Sequence, residues 1–476
     1  MEPELQYAGI DTIRRLYTDG TLSPTEYLST TLELLDRLEP ELGAFVTVAR
    51  ERATAEAEAA QRRLHTLGTV AWEDRPLLGM PVSIKDLTPT EGIRTTRGSL
   101  LHTATVPTED APAVARLRDA GAIIIGKTNT SEGGWSASGV NRVHGPTRNP
   151  WDPSRTPGGS SAGAAVAVAM GVGVAGTGTD GAGSIRIPAA FCGVVGFKPT
   201  LGRIPYVPAS PDELSHIGPL TRTVDDAVLL LRVMSGFDAR DALTFRTPCP
   251  TAESDTALSP RTLRIGWISS LGAPDPHPEI EALARRAAQS LTAWGHVVEE
   301  IAPPFEDPYP MLEVILSSWE SATHADDLAG VADRLDPDRL QVIRFGGTLD
   351  ATQLVQAYAG RSRLRTQVHD VMTRYDLLAM PTVPIPPFAA ELHEPAEPVR
   401  KGRLSWLAWT PGTYPFNLTG QPAVSVPAGL TTTGLPVGLQ LVGSLHADAL
   451  VLAVARQLEQ LNPWHHLYAE LSKRWS

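Results

Sequence analysis

From Leu77 onward the sequence consists largely of short apolar runs that glycines and prolines separate. Such runs are typical of strands buried on both faces of a sheet, and we predict strands over residues 81–84, 122–125 and 194–197. Residues 160–171, mostly Ala, Gly and Val, predict a closely packed helix within this part of the chain. Strands that alternate with helices imply an α/β fold in which helices cover both faces of the sheet.

The first 70 residues carry the pattern of amphipathic helices instead. Residues 23–26, Ser-Pro-Thr-Glu, combine a capping box with proline at the first helical position, and leucines follow on one helical face. A second helix is predicted over residues 48–67, which are rich in Ala, Glu and Arg. We therefore expect an N-terminal helical layer, residues 1–70, on an α/β core, residues 71–476.

The second half of the chain returns to the alternation of strands and helices. A strand over residues 263–268, a helix over 279–294 and a strand over 297–301 form a βαβ-like unit, and a helical stretch over 311–375 follows. Residues 238–261 contain Pro, Thr, Asp and Ser without periodicity, which predicts a surface connection.

Composition and charge exclude several classes of protein. The chain has 476 residues, of which 42% are hydrophobic and 20% charged, as in a soluble globular enzyme. A net charge of −12 without a basic stripe argues against nucleic-acid binding. The uncharged run 162–179 is too short and too weakly apolar to span a bilayer, and no secretory signal precedes it, so we expect a cytoplasmic protein. Cys192 and Cys249 predict neither a disulfide framework nor a metal site.

Lys85 follows the apolar run 81–84, so it is expected to enter the protein interior rather than water. Burial lowers the pKa of a lysine because desolvation disfavours the ammonium form. A neutral lysine amine can take the proton of a serine hydroxyl and make that serine a nucleophile. The residues leave one alternative open, in which Lys85 pairs with Asp86 or another acid at the end of a strand.

Residues 171–184 contain six glycines and end at Ser184. Glycine allows a close approach of backbone to substrate, and successive N–H groups of such a turn can point at one spot, as an oxyanion hole requires. A flexible loop between strands is the alternative. Ser160, preceded by two glycines, stands just before a predicted helix, where helix capping and a catalytic role are compatible.

The segments around Lys85, Ser160 and Ser184, in this order, resemble the amidase signature family, serine hydrolases that cut C–N bonds with a Ser–cis-Ser–Lys triad. The resemblance implies that Ser184 attacks the acyl carbon, that Ser160 relays its proton after a cis Gly159–Ser160 peptide bond, and that neutral Lys85 accepts it. The implied fold is a central twisted mixed sheet covered by helices on both faces. The backbone N–H groups implied to hold the oxyanion belong to Gly181, Ala182, Gly183 and Ser184. The side chains implied to orient this loop are those of Ser161, Asp180 and Arg186.

The resemblance extends over most of residues 77–205 and resumes at 381–384 and 415–443. One position departs from the family pattern, because Ala182 stands where the family usually has glycine. Its methyl group is expected to narrow the oxyanion loop or to redirect the acyl pocket, but it removes no N–H donor.

Aromatic residues in the segments that differ among family members are candidates for a substrate pocket, with the variable region at about residues 305–415. Family members often line the acyl or leaving-group pocket with such residues, whereas ordinary core packing is the alternative for each. Together they indicate a pocket for bulky apolar or aryl substrates. The candidates are Trp135, Trp319, Phe345, Trp406, Trp409 and Tyr414.

The resemblance therefore predicts an amidohydrolase for small carboxylic amides, with aryl amides and carbamates (urethanes) as candidate substrates and an acyl-enzyme intermediate. We expect no cofactor and no metal, no nucleic-acid or membrane partner, and a monomer or homodimer. The alternative is the glutamine-hydrolysing component of a tRNA-dependent amidotransferase, which would work within a stable complex.

Overall fold

A computed structural model describes residues 3–210, 212–247, 261–399 and 404–475. Its centre is one mixed sheet of 11 strands, in the order β1-β3-β2-β4-β6-β5-β10-β11-β9-β7-β8. The strands are β1 Phe45–Val48, β2 Pro81–Lys85, β3 Ile123–Thr128, β4 Ala175–Asp180, β5 Val195–Lys198, β6 His216–Thr221, β7 Arg264–Trp267, β8 Val297–Glu300, β9 Leu377–Pro381, β10 Ala423–Leu430 and β11 Pro436–Gly443.

Helices flank this sheet, as the α/β prediction requires. The α-helices are α1 Pro3–Gln6, α2 Ile10–Thr18, α3 Pro24–Leu42, α4 Arg50–Leu67, α5 Ala71–Asp74, α6 Pro112–Asp119, α7 Ala162–Ala169, α8 Arg186–Cys192, α9 Val224–Met234, α10 Pro278–Ser290, α11 Tyr309–Ala322, α12 Leu328–Val331, α13 Pro337–Gly346, α14 Ala351–Met372, α15 Pro415–Thr419, α16 Asp448–Leu461 and α17 His465–Arg474. Short 3₁₀ turns cover Gly68–Val70, Glu132–Gly134, Leu291–Trp294 and Ala332–Arg334.

The predicted strands and helices of the core are present with small changes at their ends. β2, β3 and β5 correspond to the predicted runs, and β7, α10 and β8 correspond to the second βαβ-like unit. β2 runs parallel to both β3 and β4, and β7 runs parallel to both β8 and β9, while β10 and β11 are antiparallel. The predicted α/β class with a mixed sheet is confirmed.

Two segments differ from their predictions. Within the expected helical layer, Phe45–Val48 forms the edge strand β1, because its backbone pairs antiparallel with β3. The glycine-rich stretch 171–184 is not one long turn, since Ala175–Asp180 forms the fully buried central strand β4. Small residues suit this strand because its neighbours leave no room: a Cβ atom at Gly176 would lie 2.9 Å from Ser83 Oγ.

The small-residue helix α7 packs against the centre of the sheet, and all its residues are buried. A Cβ atom at Gly163 would lie 2.1 Å from the Ala44 carbonyl oxygen and 2.5 Å from the Asn129 amide nitrogen, so only glycine permits this contact. This close packing holds the residues before α7 against the ends of β2 and β4.

In the part of the chain that the structure describes, no helix is both long and apolar enough to cross a bilayer. Cys192 is buried and unpaired, whereas Cys249 and most of the predicted surface connection lie outside the described residues.

Candidate active site

The chain brings Lys85, Ser160 and Ser184 together at one edge of the sheet. β2 and β4 are parallel neighbours, so their carboxyl ends lie side by side, and ligands of α/β proteins bind at such ends. Lys85 is the last residue of β2. Ser184 follows the turn after β4, and both serines line one cavity of about 370 Å³.

The Lys85 side-chain nitrogen is surrounded by oxygen atoms that carry no formal charge. Nζ lies 2.8 Å from Ser160 Oγ, 2.8 Å from Thr179 Oγ1 and 3.3 Å from the Thr179 carbonyl oxygen. The Asp86 carboxylate turns away and accepts hydrogen bonds from the backbone and hydroxyl of Thr96. Among the described residues no carboxylate lies within ion-pair distance of Lys85, so the Asp86 alternative is not observed.

Burial holds the pKa of Lys85 well below its usual value, because the fully buried side chain cannot hydrate an ammonium group. The negative charge of Asp180 opposes this shift but does not cancel it. The side chain therefore favours the neutral amine, the form that accepts a proton from the Ser160 hydroxyl.

Ser160 stands at a sharp bend before α7, and the Gly159–Ser160 peptide bond is cis, as the resemblance implies. The neighbouring Ser161 links the two serine-bearing segments: its N–H donates to the Ser184 carbonyl oxygen at 3.1 Å. Its hydroxyl lies 3.2 Å from both the nitrogen and the carbonyl oxygen of Thr179. These contacts hold the end of β4 against the start of α7.

Asp180 and Arg186 form a fully buried ion pair that organises the turn between β4 and α8. Arg186 donates two hydrogen bonds to the Asp180 carboxylate, both at 3.0 Å, and Asn417 Nδ2 adds a third at 2.8 Å. Burial alone would raise the pKa of Asp180, but the charge and hydrogen bonds of Arg186 outweigh it and hold the pKa below its usual range.

The Asp180 carboxylate also fixes the oxyanion loop predicted from the sequence. Oδ1 accepts the Gly183 N–H at 2.7 Å, so this predicted oxyanion donor is already used within the loop. Gly183 has φ +129°, and a Cβ atom there would lie 2.4 Å from Thr413 Oγ1. Gly181, Ala182 and Ser184 line the cavity, and Ala182 also packs in an apolar cluster with Trp135.

Three of the six predicted pocket aromatics, Trp135, Trp319 and Trp406, line the cavity. They extend from the two serines towards α11, and the Trp406 indole donates to the Trp135 carbonyl oxygen at 2.9 Å. Leu316 and Val342 add apolar surface between them. The cavity is therefore largely aromatic and aliphatic away from the polar loop.

The other three aromatics lie outside the cavity lining. Trp409 is fully buried between Phe191 and Phe388, and Tyr414 is fully buried with its hydroxyl 2.6 Å from Asp307 Oδ1. Phe345 lies half-buried on α13. For these residues the alternative of ordinary packing is correct, because each side chain contacts the body of the fold rather than the space above Ser184.

Sequence reasoning missed several residues at the site. Thr179 contacts Lys85 directly, and its position in strand β4 next to β2 is the signal that a correct strand assignment would have given. Arg97 and Asp212, which come from separate loops, add charged groups to the cavity lining. Beside the cavity, ligand atoms of Asp336, Asp338 and His393 lie within 4.8 Å of one another, a grouping that the sequence does not show.

Comparison with known proteins decides the family. The amidase family model matches residues 26–452, which is most of the chain. The chain belongs to the amidase signature family. It is an amidase signature hydrolase that acts on C–N bonds.

Similar members of the family differ in activity. The acylamidase of Rhodococcus erythropolis is 33% identical over 472 residues, and 97% of each chain is covered. The A-type component of the glutamyl-tRNA(Gln) amidotransferase from Thermosynechococcus vestitus is 36% identical over 479 residues, with 94% of this chain and 97% of that protein covered. The crystal structure of a bacterial aryl acylamidase of the amidase signature family superposes with a TM-score of 0.88 at 28% identity, covering 98% of both chains.

Proposed function

We propose that this amidase signature hydrolase cleaves small amides with an aryl or bulky apolar group, through an acyl-enzyme on Ser184. The observation that carries the proposal is the buried contact of 2.8 Å between Lys85 Nζ and Ser160 Oγ, with the pKa of Lys85 well below its usual value. A charged surface lysine could not accept a proton at neutral pH, whereas this one can.

In the proposed acylation step, Ser184 Oγ forms a bond to the substrate carbonyl carbon. The Ser184 proton moves to Ser160 Oγ while the Ser160 proton moves to Lys85 Nζ, so that neither serine is left as a free alkoxide. The carbonyl oxygen becomes negative and is held by backbone N–H groups of Gly181, Ala182 and Ser184, which border the cavity. Since the Gly183 N–H is bonded to Asp180, its proposed task is to shape the loop rather than to contact substrate.

The tetrahedral intermediate then expels the amine. The C–N bond breaks, and the leaving nitrogen takes the proton that Ser160 returns from Lys85. A water molecule follows the reverse path: it gives a proton to the relay, attacks the acyl carbon and releases the acid and Ser184. Asp180, Arg186 and Ser161 support these steps by holding the loop, and no cofactor enters the proposed sequence.

The proposed substrate class follows from the cavity lining. Trp135, Trp319 and Trp406 provide flat apolar surface within about 370 Å³, a volume that suits a small aryl amide. The likeness to acylamidases supports the same class. Carbamates are included as a second class, because they present the same carbonyl carbon bonded to nitrogen.

A glutamine-hydrolysing role in an amidotransferase is the second candidate. It is favoured by the likeness to the glutamyl-tRNA(Gln) amidotransferase component and by two cavity residues of opposite charge, Arg97 and Asp212, which could complement the carboxylate and ammonium of glutamine. The aromatic lining favours the aryl amide instead. Release of ammonia from glutamine by the chain alone, or only after a partner is added, distinguishes the two.

The test is release of 4-nitroaniline from 4-nitroacetanilide by the purified chain, compared with Ser184→Ala. The proposal predicts turnover by the wild type and none by Ser184→Ala, while Ser235→Ala, which removes a hydroxyl just after α9 bonded to the Leu231 carbonyl, stays active. Undiminished turnover by Ser184→Ala would refute the proposal, and glutaminase activity without aryl amidase activity would favour the second candidate.

A further inference from the structure

Asp336, His393 and Ser138 form a buried chain of hydrogen bonds beside the candidate active site. His393 Nε2 lies 3.0 Å from Asp336 Oδ2, while His393 Nδ1 lies 2.9 Å from Ser138 Oγ and 3.1 Å from Ser136 Oγ. The side chains of His393 and Asp336 are only 9% and 7% exposed. Two distant parts of the variable region thus meet one short core segment, residues 135–138.

The charge of Asp336 determines the direction of these hydrogen bonds. Burial alone would raise the pKa of Asp336, but the hydrogen bond and charge of His393, with the backbone N–H groups of Arg339 and Asp338, hold it below its usual value. A carboxylate only accepts, so His393 Nε2 carries a hydrogen and donates it. In the neutral imidazole Nδ1 is then an acceptor, and it receives the hydroxyl of Ser138 or Ser136.

The far end of the 135–138 segment abuts the residue that precedes the candidate relay serine. A Cβ atom at Gly159 would lie 2.0 Å from the Ser138 carbonyl oxygen, so the two backbones are in direct contact. Gly159 is joined to Ser160, whose hydroxyl lies 2.8 Å from Lys85 Nζ. A shift of Ser138 is therefore transmitted to the Lys85–Ser160 contact.

The near end of the same segment forms part of the cavity wall. The Trp135 ring lies 4.9 Å from the His393 ring, centroid to centroid, and Trp135 lines the cavity. Asp336 is itself anchored to the preceding turn, because its N–H donates to Glu132 Oε2 at 2.6 Å. His393 thus contacts the segment at both the cavity wall and the serines.

We propose that His393, oriented by Asp336, is a positioning residue that sets the place of Ser160 through the hydroxyl of Ser138. This inference rests on the proposed function, in which Ser160 relays a proton. His393 touches neither substrate nor the reacting atoms; it acts by holding the 135–138 segment against Gly159.

The test uses two substitutions that each keep half of the imidazole. The amide of His393→Asn reaches about as far as Nδ1 and retains an acceptor for the serines, whereas that of His393→Gln reaches about as far as Nε2 and retains the contact with Asp336. We expect His393→Gln and His393→Ala to lower kcat for 4-nitroacetanilide by about 10- to 100-fold, since a small displacement of a reacting group has such an effect. His393→Asn should stay within about threefold of wild type, which is the difference between a kept and a lost serine contact.

His296→Ala is the matched control, because His296 is a similarly buried histidine bonded to Leu263 and Gln457 elsewhere in the fold. It should lower the melting temperature without lowering kcat. If the His393 variants fail to fold, Ser138→Ala, which removes only one hydroxyl, should lower kcat severalfold. Equal kcat values for His393→Gln, His393→Asn and wild type would overturn the inference, as would an unchanged kcat in Ser138→Ala. If Ser184→Ala remains active, the proposed function fails instead, whatever the His393 variants do.

Discussion

A negative charge placed beside Lys85 should shift the pH dependence of the reaction. Only the neutral amine accepts a proton, so kcat/KM rises with pH through the pKa of Lys85 and levels off above it. Since burial holds that pKa well below its usual value, the plateau should be reached well below pH 10. Thr179 is the position to change, because its Oγ1 lies 2.8 Å from Lys85 Nζ.

Thr179→Asp introduces a carboxylate about 4 Å from the charge of a protonated Lys85. At an effective dielectric constant of about 20, two such charges attract by about 4 kcal/mol, which corresponds to about 3 pKa units. The acidic limb of kcat/KM should therefore move upward by as much as about 3 pH units, with an activity loss of up to about 1,000-fold below it.

Thr179→Asn is the matched control, since it has the same shape as Thr179→Asp and no charge. The assay is the pH dependence of kcat/KM for 4-nitroacetanilide with wild type and both variants. If the acidic limbs of Thr179→Asp and Thr179→Asn coincide, Lys85 is not the group whose deprotonation controls the reaction, and its proposed role is wrong.

Three further substitutions test other parts of the site. Lys85→Met should lower kcat by about 10²- to 10⁴-fold yet raise the melting temperature in calorimetry, because a methionine is buried without the desolvation cost of an amine. Asp180→Asn should lower the free energy of unfolding in urea by about 3–5 kcal/mol, since it leaves the Arg186 charge buried without a counterion. Gly183→Ala should reduce both kcat and the melting temperature, whereas Gly145→Ala, at φ +89° with no atom within 4 Å of the added Cβ, should cost only about 1 kcal/mol of stability and no activity.

The sheet and the order of the candidate catalytic residues were predictable because their signals are local. The apolar runs that became β2, β3 and β5 are continuous in sequence, and burial of Lys85 follows from its place at the end of one of them. The strand β4 was not predictable by the same rule, since its glycines are typical of a loop. They are tolerated there because α7 and β2 approach too closely for side chains.

The walls of the site depended on contacts between distant segments. Trp406 lines the cavity while Trp409, three residues later, is packed away from it, and nothing in the local sequence separates the two. His393 and Asp336 are far apart in the chain and meet Ser138 only because the variable region folds back onto the core. Such convergence is a property of tertiary packing, so no spacing rule reveals it.

Acylation of Ser184 is the step on which the whole proposed mechanism depends, and mass spectrometry of the enzyme quenched during turnover of 4-nitroacetanilide detects it. We expect one added acetyl group per chain, found after digestion on the peptide that contains Ser184. An active enzyme whose acetyl group is found on another residue would contradict the proposed mechanism.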